Sequence, residues 1–303
     1  VAGALEHVST DGTVTALALL QAYVVHSGDG WVWAIEYLER FLEGQRMRTE
    51  PPTPDVHDGF ASLVQTLGTR TAQLHQALSL RTGNREFDPE IFSQSDLDAW
   101  KGRLREELRA TLDVLETLRQ ELSAVAPRTQ DLLDASSRML AMIEEAALPS
   151  PPPEKIRTHG DYHLGQVLVV KNDFTIIDFE GEPGRTMAER RTKRLAVRDV
   201  AGMLRSFDYA RSTAVRHVAQ DDGEQLSALE ALGASWLEQM RHTFLAAYAA
   251  CLQDHPAQFE GQRSLLALAE LEKALYEIRY EAANRPAWVG IPVEGALALI
   301  ERP

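Results

Sequence analysis

Two short apolar runs rich in β-branched residues, 166–171 and 174–178, stand inside a long stretch of helical pattern. Between them Asn172-Asp173 reads as the turn of a β-hairpin. A tight hairpin returns the chain to where it began, so whatever precedes the first strand meets whatever follows the second. Here the preceding segment is His159-Gly160-Asp161-Tyr162-His163-Leu164-Gly165-Gln166, and the following one is Asp178-Phe179-Glu180. Asp161, Asp178 and the Gln166 amide are therefore expected at one end of the ribbon. Two carboxylates and an amide oxygen suit phosphoryl transfer. One carboxylate orients or deprotonates an attacking hydroxyl, while the other carboxylate and the amide hold Mg²⁺ against nucleotide phosphates. His159 and His163 are four residues apart, but Gly160 follows the first histidine where a helical zinc motif has glutamate. His159 is expected to bond the loop backbone, and His163 to be structural or near a substrate.

The rest of the chain bounds this reading. Its 303 residues suffice for one large domain or two modest ones. The formal charge of −14 argues against non-specific nucleic-acid binding and against anionic membranes. Such a surface needs locally placed cations or a metal to hold a nucleotide. Cys251 is the one cysteine, so no disulfide forms within the chain, and a reducing cytoplasm is the expected compartment. No apolar run is long enough to span a membrane. No signal peptide is evident, and the chain opens in mid-pattern at Val1.

Along the chain, residues 1–25 read as two strands around the turn Asp11-Gly12. Ser27-Gly28-Asp29-Gly30 is a loop, read as a turn rather than a phosphate loop because no lysine follows. Helical spacing then begins at Trp31, and Pro51 and Pro52 end it. A second helix covers 58–80, with His75 near its end as a packing or hydrogen-bonding histidine. The clearest period runs from Leu97 to Leu122, where leucines step by threes and fours around Trp100. A further helix at about 129–147 leads into the stiff, proline-rich 148–153. From about 186 the pattern is helical to the end.

With these residues in view, the chain resembles the aminoglycoside- and choline-kinase-like branch of the protein-kinase fold. His-Gly-Asp-x-His, a hairpin and Ile-Asp-Phe carry the likeness. Within that branch, Gly165-Gln166 and the run from Asp178 to Pro183 look like the maltokinases, which phosphorylate maltose at its anomeric carbon. Residues 67–75, 198–207 and 280–286 match in the same order. The resemblance implies an α+β, protein-kinase-like fold with a mostly helical C-lobe, an embedded catalytic hairpin and a truncated β N-lobe. It implies ATP and Mg²⁺ as cofactors, with Asp161 as the catalytic aspartate, Gln166 and Asp178 as metal ligands, and Glu180 as a weaker metal contact. It further implies maltose as acceptor, a place in α-glucan synthesis, and a covalent or non-covalent trehalose synthase domain as partner. The alternatives are a kinase for another sugar or an aminoglycoside, or a silent lobe used for assembly.

On the resemblance, 1–25 is a remnant of N-lobe strands and hinge, and 26–303 is the C-lobe. Backbone groups of Gln21, Ala22 and Tyr23 would meet adenine at the hinge. No lysine precedes Lys101, so the lysine that pairs with nucleotide phosphates in this fold is expected outside the sequence.

Near the C-terminus, Lys273, Tyr276, Tyr280 and Asn284 fall on one helix face, with Leu271, Leu275, Ile278 and Ala282 opposite. Rings flanked by polar groups suit sugars, but an aromatic stripe in the core fits the same spacing. The resemblance tips Tyr276, Tyr280 and Asn284, with His163, toward the sugar. Arg185, Arg190, Arg191, Lys193 and Arg194 form a basic cluster, read either as a solvated face or as a loop docked on the acidic site.

Overall fold

The computed structural model describes residues 2–48, 51–53, 55–122, 125–182, 184–219, 223–252 and 259–301. Val1 and Pro183, both named above, lie outside them. Strands β1 (Gly3–Val8) and β2 (Val14–Leu20) form the expected hairpin, antiparallel with a register shift at Leu5/Glu6. Its apolar side chains, Leu17 and Leu19 among them, are exposed. Residues 21–29 then run beside the second hairpin, whose strands are β5 (Val167–Val170) and β6 (Asp173–Ile176). There Ser27 N–H donates to Val169 O at 2.8 Å and Val169 N–H donates to Gly28 O at 3.0 Å.

The β5–β6 hairpin turns one residue earlier than its sequence suggests. Val170 pairs with Asp173, so the turn is Lys171-Asn172 rather than Asn172-Asp173. Lys171 takes a left-handed backbone, φ 58°. Asp173 is held in the ladder because its carboxylate accepts from Arg70 Nε at 2.7 Å and Nη2 at 2.6 Å. A tertiary ion pair thus overrides local turn preference.

Helices supply the scaffold. Helix α1 (Gly30–Arg46) starts where the Asp29 carboxylate accepts from Val32 N–H, an ordinary N-cap. Helix α2 (Asp58–Leu78) packs along α8 (Gly223–Cys251), and α1 lies on α7 (Val197–Ala219). Helix α3 (Gln94–Leu122) buries Leu97, Trp100, Leu104, Leu108, Leu115 and Leu122, the face its period predicts. Each fully buried leucine contributes about 1.5–3 kcal/mol. The helix expected over 129–147 is two helices, α4 (Thr129–Asp134) and α5 (Ser136–Glu145), broken at Ala135. Two short strands, β3 (Glu90–Ile91) and β4 (Glu154–Lys155), tie the proline-rich linker down. A single turn, α6 (Met187–Arg190), is closed by a capping box between Thr186 and Glu189.

Helix α7 is the centre. It is buried on nearly every side, with Phe207 against Trp236 and Phe244 of α8. Helix α9 (Arg263–Asn284) packs on α7 and α3, and α10 (Gly290–Glu301) closes the far end. No helix among the described residues is long and apolar enough to cross a membrane.

Candidate active site

The loop 159–166 is pinned from below by α7. Asp199, in its first turn, is buried and accepts from His159 N–H at 2.7 Å and Gly160 N–H at 3.0 Å. Its Oδ2 also meets His75 Nε2 at 3.2 Å, and His75 Nδ1 meets the Tyr248 hydroxyl at 2.8 Å. Burial alone would raise the Asp199 pKa, but His75 and the two N–H groups hold it below the ordinary carboxylate range. Helices α2, α7 and α8 thus converge on one carboxylate that shapes the loop. Tyr162 is buried beside it and donates to Thr71 Oγ1 at 2.8 Å, since Thr71 spends its own proton on Leu67 O.

Helix α7 approaches this loop so closely that only glycine fits at 202. A Cβ there would lie 2.5 Å from Tyr162 O. Gly202→Ala is therefore expected to push helix and loop apart, costing about 1–3 kcal/mol of stability. Chemical denaturation of the two proteins measures it.

His159 bonds the loop, as its sequence position suggests. Its Nδ1 accepts from Asp161 N–H at 3.4 Å, so Nε2–H donates to Ile177 O at 2.8 Å. That second bond crosses from the loop to the end of the hairpin. Ile177 N–H returns to Gln166 O at 3.0 Å. At Asp178 the backbone turns left-handed, φ 63°, and leaves the ribbon sharply. Gln166 Nε2 then donates to Asp178 Oδ2 at 3.0 Å. Gln166 and Asp178 are together, as the hairpin geometry predicts. Glu180, two residues on, is exposed.

Asp161 lines a cleft between its loop and α9, with Glu182, Lys273 and Tyr276 opposite. Lys273 Nζ lies 2.7 Å from Glu182 Oε1 and 3.9 Å from Asp161 Oδ1. Arg185 Nε donates to Glu182 Oε2 at 2.5 Å. Burial alone would raise the Glu182 pKa, but Lys273 and Arg185 hold it down to about 2, against its ordinary 4.5. A depressed carboxylate stabilises the fold fully above its unfolded pKa, and that stability is lost as pH falls through the folded one. Between pH 4.5 and about 2 the pair is expected to lose on the order of 3 kcal/mol. Unfolding measured across this window should show the slope, and Glu182→Gln should flatten it.

Lys273 also lies over the Tyr276 ring, 5.3 Å from its centroid, and Tyr276 stacks on Tyr280 at 6.1 Å. Both rings are partly exposed, at 37% and 44%, which excludes the core reading of this stripe. Tyr276 lines the cleft; Tyr280 sits beyond it, with Arg285 over its ring at 5.6 Å. Asn284 is at the helix end, where its amide donates to Tyr280 O at 2.8 Å. His163 accepts from Gly165 N–H at 3.0 Å, and its Nε2 stands 3.9 Å from Asp161 Oδ2. Burial pushes the His163 pKa down, while Asp161 draws it back up. Gln21, Ala22 and Tyr23 lie in the exposed extended segment between β2 and α1.

Sequence reasoning missed two members of this site. Glu182 stands inside the run from Asp178 to Pro183 but carried no role. Asp199 stands in the first turn of a helix whose buried residues include both apolar and charged side chains, Arg205 and Asp208 among them, so spacing alone did not single it out.

A helical scaffold holding an acidic loop on one side of a hairpin and a carboxylate–amide pair on the other is that of a protein-kinase-like phosphotransferase. Residues 4–232 match the phosphotransferase enzyme family (APH), and the chain belongs to that family. It is 28% identical over 277 residues to a glucosamine kinase of Streptacidiphilus jiangxiensis. It is 25% identical over 304 residues to a glucosamine kinase of Mycolicibacterium smegmatis. These alignments cover 91% and 97% of the chain but 56% and 65% of the relatives, so the chain spans little more than half the length of the first. Among solved structures, a glucosamine kinase in complex with glucosamine, ADP and inorganic phosphate aligns at a TM-score of 0.68 and 25% identity, over 94% of this chain and 62% of that one. A second crystal form of glucosamine kinase, 24% identical over 95% of this chain and 60% of that one, shares the fold at 0.69.

Proposed function

We propose that this chain forms the acceptor side of an ATP-dependent sugar kinase. The observation that carries the reading is the cleft in which Asp161 faces Lys273 and Tyr276, with Gln166 and Asp178 paired at the end of the adjoining hairpin. Asp161 orients the sugar hydroxyl and takes its proton as the oxygen–phosphorus bond forms and the bond to ADP breaks. In this reading Tyr276, which lines the cleft, offers a ring face to the sugar, and Tyr280, His163 and Asn284 would add further contacts.

The Gln166–Asp178 pair fits Mg²⁺ by its donor chemistry. Both are hard oxygen ligands once the Gln166 amide turns its oxygen outward, and Mg²⁺ takes one or two protein ligands plus phosphates. When bound, the ion neutralises phosphate charge. Glu180, exposed two residues beyond Asp178, would be a weaker contact in this reading. Residues 1–25 belong in this reading to the nucleotide side, with Gln21, Ala22 and Tyr23 against adenine, and 26–303 to the acceptor side.

The relatives support an amino sugar such as glucosamine as acceptor. Maltose, with α-glucan synthesis and a trehalose synthase partner, rests on the motif resemblance. Initial rates of ADP release with glucosamine, maltose, glucose and an aminoglycoside separate them. The reading expects release with one of the first three sugars. Release with the aminoglycoside alone overturns it.

A further inference from the structure

We propose that the hollow adjoining the Asp161 cleft is a binding site for a phosphate dianion, held by the guanidinium groups of Arg194, which lines both, and Arg103 at its exposed rim. The cleft continues from Asp161 past Arg185 and Arg198 into a second hollow, and Arg194 lines both. The chain carries a formal charge of −14, yet the ionisable lining of this hollow is six Lys or Arg against four Asp or Glu. Cations gathered there against the overall charge point to an anionic occupant.

The partners of those cations sharpen the point. Lys155 pairs with Asp96 at 2.9 Å, Lys193 with Glu90 at 2.7 Å, and Arg185 with Glu182 at 2.5 Å. Arg198 is held by Glu272 and lies over the Trp100 ring. Arg194 and Arg103 have no hydrogen-bond or ion-pair partner for their side chains among the described residues. The acids nearby are already engaged. Glu189 closes the Thr186 capping box, and Glu107 stands 3.7 Å from Arg279.

Arg194 is nonetheless fixed in place. Its backbone exchanges two hydrogen bonds with Ile156, at 2.9 and 2.8 Å. Burial, with the neighbouring Arg198 and Arg185, pushes its pKa down to about 10, so it stays charged at neutral pH. A partly buried guanidinium among like charges is unfavourable until an anion joins it. The partly buried Arg194 and the exposed Arg103 line the same hollow and together match a dianion, and the planar fork of arginine matches phosphate oxygens. The chemistry is shared by inorganic phosphate and by a sugar phosphate ester. Within the basic run 185–194, Arg185 and Lys193 are paired with Glu182 and Glu90, whereas Arg194 lines the hollow without such a pair.

Calorimetric titration of the protein with inorganic phosphate and with glucose 6-phosphate, without nucleotide or magnesium, tests the site. Saturable binding of either is expected, and the ligand that binds more tightly identifies the source. Arg194→Gln should weaken it by about tenfold or more, as loss of a charge-assisted bond implies, and Arg194→Lys should restore part. Arg103→Gln should weaken it too, which covers the case of a poorly folded Arg194 variant. Arg119→Gln, about 24 Å further along α3, should bind as the parent does. No saturable binding in the parent, or equal affinity in the Arg194 and Arg103 variants, overturns the site. Sugar-dependent ADP release, read separately, tests the sugar-kinase reading without touching this one.

Discussion

Asp161→Asn is expected to lower sugar-dependent phosphoryl transfer by about 10²–10⁴-fold, the range for removal of a positioned base. The asparagine keeps the size and hydrogen-bonding reach of the side chain but cannot take the hydroxyl proton. The fold should be untouched, because the loop is held elsewhere. His159, Tyr162 and Asp199 fix it, whereas Asp161 adds its N–H to His159 and only long contacts, 3.9 Å each, from its carboxylate to Lys273 and His163. Lys273 loses one of its two carboxylates but keeps Glu182 at 2.7 Å. The expected signature is therefore a fall in kcat with an unchanged thermal midpoint. Sugar turnover at the parent rate in a folded Asp161→Asn protein would remove Asp161 from the chemistry.

Asp199→Ala should act in the opposite way, through the fold. The carboxylate is buried and serves two backbone N–H groups and His75 at once. Its removal leaves those three donors without partners in a dry interior. Breaking one side of a buried charged network costs about 3–5 kcal/mol. The midpoint of thermal or urea unfolding should fall accordingly, and activity should fall with it because the loop no longer has a template. His75→Ala should cost less, since Asp199 keeps its two backbone donors. If Asp199→Ala unfolds at the parent midpoint, the carboxylate is not what holds the loop.

The parts of this site that are near in sequence were legible, and those that meet only in three dimensions were not. The hairpin rule brought Gln166 and Asp178 together because a strand pair has one geometry over twelve residues. The period of α3 fixed its buried face for the same reason. The turn slipped by one residue because Arg70, on another helix, captures Asp173. Local turn preference cannot see that partner. Lys273 was placed on the correct helix face, but its ion pair with Glu182 spans 91 residues. The His75–Asp199 contact spans 124. Nor did spacing choose between a buried and an exposed tyrosine stripe; only the packing of α9 did. The acceptor sugar is a further step removed, because a cleft wall of Tyr276, Lys273 and Glu182 accommodates more than one hexose.

The central claim is that a sugar hydroxyl at Asp161 receives the phosphoryl group. The most direct measurement is a ³¹P NMR time course of the protein with MgATP, with and without sugar. A phosphomonoester resonance that grows with ADP only when sugar is present, and is absent from Asp161→Asn, is the predicted result. ADP accompanied by inorganic phosphate alone, at a rate indifferent to sugar and to Asp161, would contradict it.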